Sequence, residues 1–225
     1  MSRGNGQDHE TRFERARRAM VTDQIARRGV RDPNVLRAMS RVPRERFVPP
    51  DSVDFAYDDR PLPIGHGQTI SQPYVVALMT EALELGPGDR VLEIGTGSGY
   101  AAAVLAECAR EVDTIERHEG LAASARARLA ELGYANVRVR VGDGTLGWPE
   151  AAPFDAIVAT AGGPTVPRAL LAQLAVGGRL VMPVGAMKNA QTLVRVVRTF
   201  DDRFEEDDLG GVAFVPLIGA QGWEA

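Results

Sequence analysis

Val91-Leu92-Glu93-Ile94-Gly95-Thr96-Gly97-Ser98-Gly99-Tyr100 decides the fold of this 225-residue chain. It reads as a short apolar strand, a glycine-rich turn and the first residue of a helix. Glycine in such a turn lets the backbone adopt positive φ and approach a ligand closely. The turn also gathers backbone N–H groups at a helix N-terminus, where polar or anionic groups are favoured. Glu93 stands two residues before the first glycine, and its carboxylate would repel a dinucleotide pyrophosphate. It suits a ligand with a cationic or hydroxyl-rich end.

Outward from this turn, strands and helices alternate. Strands are read at Arg90–Ile94, Glu111–Glu116, Val137–Val141, Phe154–Ala159 and Arg179–Pro183, and helices at Tyr100–Ala109, Gly120–Leu132 and Pro167–Leu174. Alternation of this length implies a parallel sheet with helices on both faces. The strand-rich end, Gln191–Arg198, Arg203–Leu209 and Gly211–Val215, suggests an antiparallel edge. On the N-terminal side, Phe13–Arg28 reads as an amphipathic helix stopped by Gly29. Asp32 caps a second helix to about Met39, with Pro33 at its first position. A proline-rich, non-repetitive segment follows to about Gly67. A helix is then read over Tyr74–Leu85, halted by Gly86-Pro87-Gly88. Residues 1–11 read as a disordered tail and 12–225 as one domain. Within it, 12–72 form a helical extension with a substrate loop and 73–225 a cofactor-binding core.

In open α/β sheets a ligand sits beyond the carboxyl ends of the strands. Three acids fall there: Glu93, Glu116 and Asp143. Glu116 lies at the distance expected of a carboxylate accepting from ribose hydroxyls. Asp143, in Val141-Gly142-Asp143-Gly144, is placed to accept from an adenine amino group, and Glu93 to stand near a cationic amino-acid end. Each acid alone is equally explained as the solvated end of a strand. A G-x-G-x-G loop preceded by an acid departs from the G-x-G-x-x-G of NAD sites. The set points to S-adenosyl-L-methionine and to a Rossmann-like class I methyltransferase fold, with a mostly parallel seven-stranded sheet.

The rest of the composition narrows the classes. With 26 basic and 30 acidic residues, the net charge of −4 makes no case for nucleic acid. No apolar run approaches the ~20 residues of a membrane helix, and Met1–Thr11 lacks a signal-peptide core. The lone Cys108 sits in an apolar helical run and reads as a buried, inert thiol, which fits a reducing cytoplasm. His9, His66 and His118 share no metal-ligand spacing, so no metal is expected. A monomer is expected.

Pro61–Tyr74 is the second unusual stretch, rich in glycine and hydroxyl residues. Ser71 there reads equally as the N-cap of the following helix, with Pro73 opening it, or as part of a loop laid against a ligand. A carboxylate acceptor is already ionised at pH 7 and needs no general base. A hydroxyl can hold it while the site supplies alignment and water exclusion. An amine or phenol acceptor wants a base or a metal, and neither cluster is evident.

The chain resembles the protein-L-isoaspartate O-methyltransferase family. The resemblance is carried by Val42-Pro43-Arg44-Glu45-Arg46-Phe47-Val48, Leu62–Gly65, Gln68-Thr69-Ile70-Ser71-Gln72-Pro73, the glycine loop, Gly142-Asp143-Gly144, Pro153–Ile157, Leu180–Gly185 and Phe214–Leu217. It implies methylation of the α-carboxylate of L-isoaspartyl residues in damaged proteins, giving an ester that closes to a succinimide, with S-adenosyl-L-homocysteine as the other product. It implies Ser71 as the active-site residue. The cofactor set it implies is Gln68, Thr69, Ile70, Ser71, Tyr74, Glu93, Gly95, Thr96, Gly97, Ser98, Gly99, Glu116, Arg117, Gly142, Asp143 and Gly144. The substrate set is Ile64, Thr69, Ser71, Val215, Pro216 and Leu217, where an extended peptide is expected to add as a strand. It also implies a reordering of the last strands of the usual methyltransferase sheet. The sequence departs from the pattern at Ala161-Gly162-Gly163-Pro164 and at His66, which reads as a solvent-side variation.

Three other readings stand beside this one. A peptide-tailoring aspartate methyltransferase of the same lineage would be expected to carry further C-terminal segments. A small-molecule O-methyltransferase would want a base or metal cluster. A non-catalytic cofactor-binding module would not need Ser71.

Overall fold

The computed structural model describes residues 5–187, 190–200 and 202–224, with side chains from residue 12 onward. Among the described residues nine strands form two sheets. The small one pairs β1 (Leu62–Gly65) with β2 (Gln68–Ile70). The large one contains β3 (Arg90–Ile94), β4 (Glu111–Glu116), β5 (Val137–Val141), β6 (Phe154–Ala159), β7 (Leu174–Met187), β8 (Ala190–Phe200) and β9 (Arg203–Val212). Its order is β5-β4-β3-β6-β7-β8-β9. The first five strands run parallel, and β8 and β9 close the edge as an antiparallel meander.

β3 is central because it is apolar on both faces, as a strand covered by helices on both sides must be. Val91 enters one buried cluster, and Leu92 and Ile94 enter another on the opposite face. The first cluster also holds Met20, Ile25, Met39 and Phe47, so the N-terminal segment is packed onto the sheet rather than appended to it. Arg44 is fully buried there, with Nε donating to the Ala56 carbonyl at 2.7 Å and its guanidinium over the Tyr100 ring. The Val42–Val48 motif therefore serves the core.

The helices are α1 (Asn5–Ala19), α2 (Pro33–Arg41), α3 (Pro73–Ala82), α4 (Tyr100–Ala106), α5 (Glu119–Glu131) and α6 (Arg168–Gln173). Several differ from expectation. α1 begins at Asn5, inside the stretch read as a disordered tail; residues 1–4 lie outside the described residues. It also ends at Ala19 rather than Arg28. A wider π turn, Met20–Ile25, follows and carries two buried residues five apart, Met20 and Ile25. A 3₁₀ turn, Ala26–Arg28, then ends at Gly29. α2 is capped as expected, with Asp32 Oδ1 accepting from the N–H groups of Asn34 and Val35.

The stretch read as a ligand-facing loop is the β1–β2 hairpin. His66 and Gly67 form its two-residue turn, both at positive φ, as a tight primed turn requires. β7 extends beyond both ends of the Arg179–Pro183 reading, and β9 absorbs the first part of the strand expected at Gly211–Val215. Among the described residues no helix is long and apolar enough to cross a membrane.

Candidate active site

The glycine loop is clamped from both neighbouring strands. The N–H groups of Gly95 and Thr96 donate to the Ile115 carbonyl at 2.8 and 3.3 Å. Thr160 Oγ1, at the end of β6, donates to the Gly95 carbonyl at 2.8 Å. Gly95 lies at φ +97°, and a Cβ there would stand 2.5 Å from Thr160 Oγ1. Both the conformation and the close approach demand glycine.

Three cavities meet at Thr69 and Thr160. A narrow one is lined by Gln68, Gly95, Gly97, Glu116, Arg117, Gly144 and the Val215–Ile218 segment. A second lies between Ile70 and Ser71 on one side and Thr96, Ser98 and Tyr100 on the other. The third is a groove of about 950 Å³ bounded by Ser71, Gln72, Tyr74 and the far ends of β8 and β9. Ser71 opens into both the second and the third.

Ser71 is not a helix cap. The N-cap of α3 is Gln72, without a side-chain cap bond, and the Ser71 hydroxyl makes no hydrogen bond to the described residues. Glu116 lines the narrow cavity, its two oxygens accepting from Gly97 N at 2.8 Å and His118 N at 2.9 Å.

Other expected residues are placed differently. Glu93 does not stand at the mouth of the loop; it is fully buried. Its Oε2 accepts from Thr114 Oγ1 at 2.6 Å, and that hydroxyl shares a 2.6 Å hydrogen bond with Thr96. Burial pushes the Glu93 carboxyl up to about 8; the Thr114 hydrogen bond opposes the rise and the nearby Glu116 charge adds to it. Glu93 is thus a brace beneath the loop.

Asp143 is also engaged by the protein rather than left open. It accepts from the Thr145 N–H and hydroxyl through Oδ1, and from Ala220 N at 2.8 Å through Oδ2. Burial raises its pKa, but these donors outweigh that and hold the carboxyl below its usual range. Gly142 bonds Glu116 through the backbone, and Gly99 packs against Leu129 and Ala125.

Tyr74 faces the large groove rather than the glycine loop. Ile64, expected on the substrate side, lies over Gly97 instead. Val215 joins groove and narrow cavity, while Pro216 and Leu217 line only the latter. Strand addition along Val215–Leu217 is partly forestalled, because the Val215 carbonyl and Leu217 N–H already bond Gly162 at 2.8 Å each. A Cβ on Gly162 would come within 2.9 Å of Gln191, so the Gly162-Gly163 departure is what seats this segment.

Sequence reasoning missed Thr160, Thr114, Gln191 and Arg28. Thr160 alone carried a signal, its place at the carboxyl end of a parallel strand. The scattered-histidine reading also missed a contact. His66 and His118 stack with centroids 5.2 Å apart, resting the hairpin tip against the start of α5. Burial pushes the Cys108 thiol up to about 12. Among the described residues no three His, Cys, Asp or Glu side chains converge on a metal position.

Comparison with known proteins places this geometry. The sequence profile described as protein-L-isoaspartate(D-aspartate) O-methyltransferase matches residues 15–222. Protein-L-isoaspartate O-methyltransferase 1 of Rhodopseudomonas palustris (strain HaA2) is 62% identical over 216 residues, covering 96% of this chain and 88% of that one. Protein-L-isoaspartate O-methyltransferase 2 of Pelobacter propionicus is 61% identical over 207 residues, 92% of each chain. A solved protein-L-isoaspartate O-methyltransferase superposes with a TM-score of 0.82 at 29% identity, over 93% of this chain and 67% of that one. A Plasmodium falciparum structure described as the same kind of enzyme, in complex with S-adenosyl-L-homocysteine, gives 0.76 at 25% identity, over 90% and 98%. In this sheet β7, β8 and β9 lie side by side in chain order. This chain belongs to the protein-L-isoaspartate(D-aspartate) O-methyltransferase family.

Proposed function

We propose that this chain carries out its family's reaction, methylation of the α-carboxylate of L-isoaspartyl residues, where its three cavities meet, with Ser71 as the residue that holds the carboxylate. The carrying observation is the Ser71 hydroxyl. It has no capping task, and it opens at once into the large groove and into the cavity beside the glycine loop. The cofactor is S-adenosyl-L-methionine, which when bound supplies an electrophilic methyl group on a cationic sulfur.

The residues present fit that group. Gly95, Gly97 and Gly144 leave bare backbone along the narrow cavity, and a Cβ on Gly144 would collide with Ile94. Glu116 offers carboxylate lone pairs at the cavity wall for hydroxyl donors, and Gln68, Thr69 and Arg117 complete the rim. Ile70, Thr96 and Ser98 bound the space toward Ser71.

Toward the peptide, Ser71 donates one hydrogen bond to the carboxylate without burying a second charge. Thr69 and Thr160 narrow the passage so that water is excluded and the carboxylate is aligned. No side chain has to remove a proton, since the acceptor is ionised at neutral pH. The buried Cys108, its thiol pushed up by burial, suits a cytoplasmic setting. The identities near 60% with proteins named protein-L-isoaspartate O-methyltransferase favour repair over peptide tailoring.

Matched peptides, one isoaspartyl and one aspartyl, offered with labelled methyl donor test the reading. Label in the isoaspartyl peptide alone is expected; equal label in both would overturn it.

A further inference from the structure

The large groove is walled almost wholly by hydroxyl, apolar and backbone groups. Arg28 is the one charged side chain among its described lining residues. It sits at the end of the 3₁₀ turn before Gly29, in the N-terminal segment, far in sequence from the rest of the site. Its guanidinium carbon lies 3.4 Å from the centroid of the Tyr74 ring, so the planar group is stacked in place. Nη1 donates to Asp59 Oδ2 at 2.6 Å. Asp59 is itself held by Gln72 Nε2 at 2.8 Å and by Tyr74 N at 3.4 Å. Arg28 is therefore oriented from two sides by the turn that carries Ser71. Its remaining N–H groups bond no described residue, and its side chain is 45% exposed.

A cation this well fixed is not needed to hold the reacting carboxylate. Pairing there would stabilise the ionised nucleophile and slow its attack, whereas Ser71 can hold it without a full charge. The open donors of Arg28 match a second carboxylate. We infer that Arg28 selects isoaspartyl peptides that carry an aspartate or glutamate beside the damaged residue, making it a specificity-determining residue of the groove. This rests on the reading of the groove as the peptide site.

The test uses isoaspartyl peptides that differ only by glutamate, glutamine or lysine at the neighbouring position, on either side, with saturating S-adenosyl-L-methionine. For the unmodified chain, kcat/KM is expected to fall from glutamate to glutamine by about two- to fivefold, carried in KM, and further for lysine. Arg28→Gln is expected to bring the glutamate-to-glutamine ratio near one, and Arg28→Lys to keep part of it. Raised salt should shrink the ratio for the unmodified chain and leave it alone in Arg28→Gln. No preference on either side in the unmodified chain would overturn the inference. So would an undiminished preference in Arg28→Gln, even if all peptides then turn over more slowly. Failure of the unmodified chain to methylate any of these isoaspartyl peptides would instead sink the underlying reading of the groove, and the inference with it.

Discussion

The backbone N–H of Gly97 donates to Glu116 Oε2 at 2.8 Å, which ties the middle of the glycine loop to the end of the neighbouring strand. Because Oε1 meanwhile accepts from His118 N, one carboxylate fixes both the loop and the start of α5. Glu116→Ala should remove both anchors as well as the acceptor offered to the cofactor. Affinity for S-adenosyl-L-homocysteine is expected to fall by about 10- to 100-fold, the span of a charge-assisted hydrogen bond. Calorimetric titration reads this directly, and unchanged affinity would remove Glu116 from the site.

Ser71→Ala separates chemistry from stability. Since Gln72 is the cap of α3, the melting temperature should stay within about a degree of the unmodified chain. The loss of one hydrogen bond to an ionised group should lower kcat on an isoaspartyl peptide by about tenfold. A stability loss of about 1 kcal/mol at unchanged turnover would return Ser71 to a capping role.

Glu93 gives the fold a pH signature. Its carboxyl titrates near 8 when folded and near its ordinary 4.5 when unfolded, chiefly because of burial. Between those values the folded chain holds a proton that the unfolded chain has lost. Its contribution is therefore full at low pH, shrinks as pH rises from about 4.5, and is gone above about 8. Glu93→Gln keeps an acceptor for Thr114 and removes the titration. Denaturant unfolding from pH 5 to 9 should show a flatter profile in the variant, and parallel profiles would refute the assignment.

Gly95→Ala should cost about 1–3 kcal/mol, from a β-carbon at φ +97° and from its collision with Thr160 Oγ1. Because part of the cost is that one contact, Thr160→Ala should recover some of it in the double variant. Additive losses in a double-mutant cycle would locate the strain elsewhere.

The sequence showed β3, β4, β5 and β6 to the residue, because apolar residues fill or alternate along each short run and Gly95, Glu116, Gly142 or Pro153 marks an edge. The glycine loop and Thr69–Ser71 were legible for the same local reason. What stayed hidden depends on pairing across distance. Glu93 looks like a ligand until register places it beside Thr114, whose hydroxyl turns it inward. Ala161–Pro164 looked like a plain departure until Gly162 was seen seating Val215 and Leu217. Arg28 belongs by sequence to a helix and by position to the groove, because the π turn at Met20–Ile25 ends that helix early.

The β1–β2 hairpin carries a consequence of its own. Gln68 and Thr69 face the narrow cavity, Thr69 also faces the large groove, and the tip rests on His118. This two-stranded piece thus borders both cavities, rooted in the core by Leu62 and Ile70 and resting its tip on His118. Whatever displacement one ligand imposes on it, the other must meet. Where binding in one cavity moves the hairpin, occupancy of either site changes the affinity of the other by the same factor.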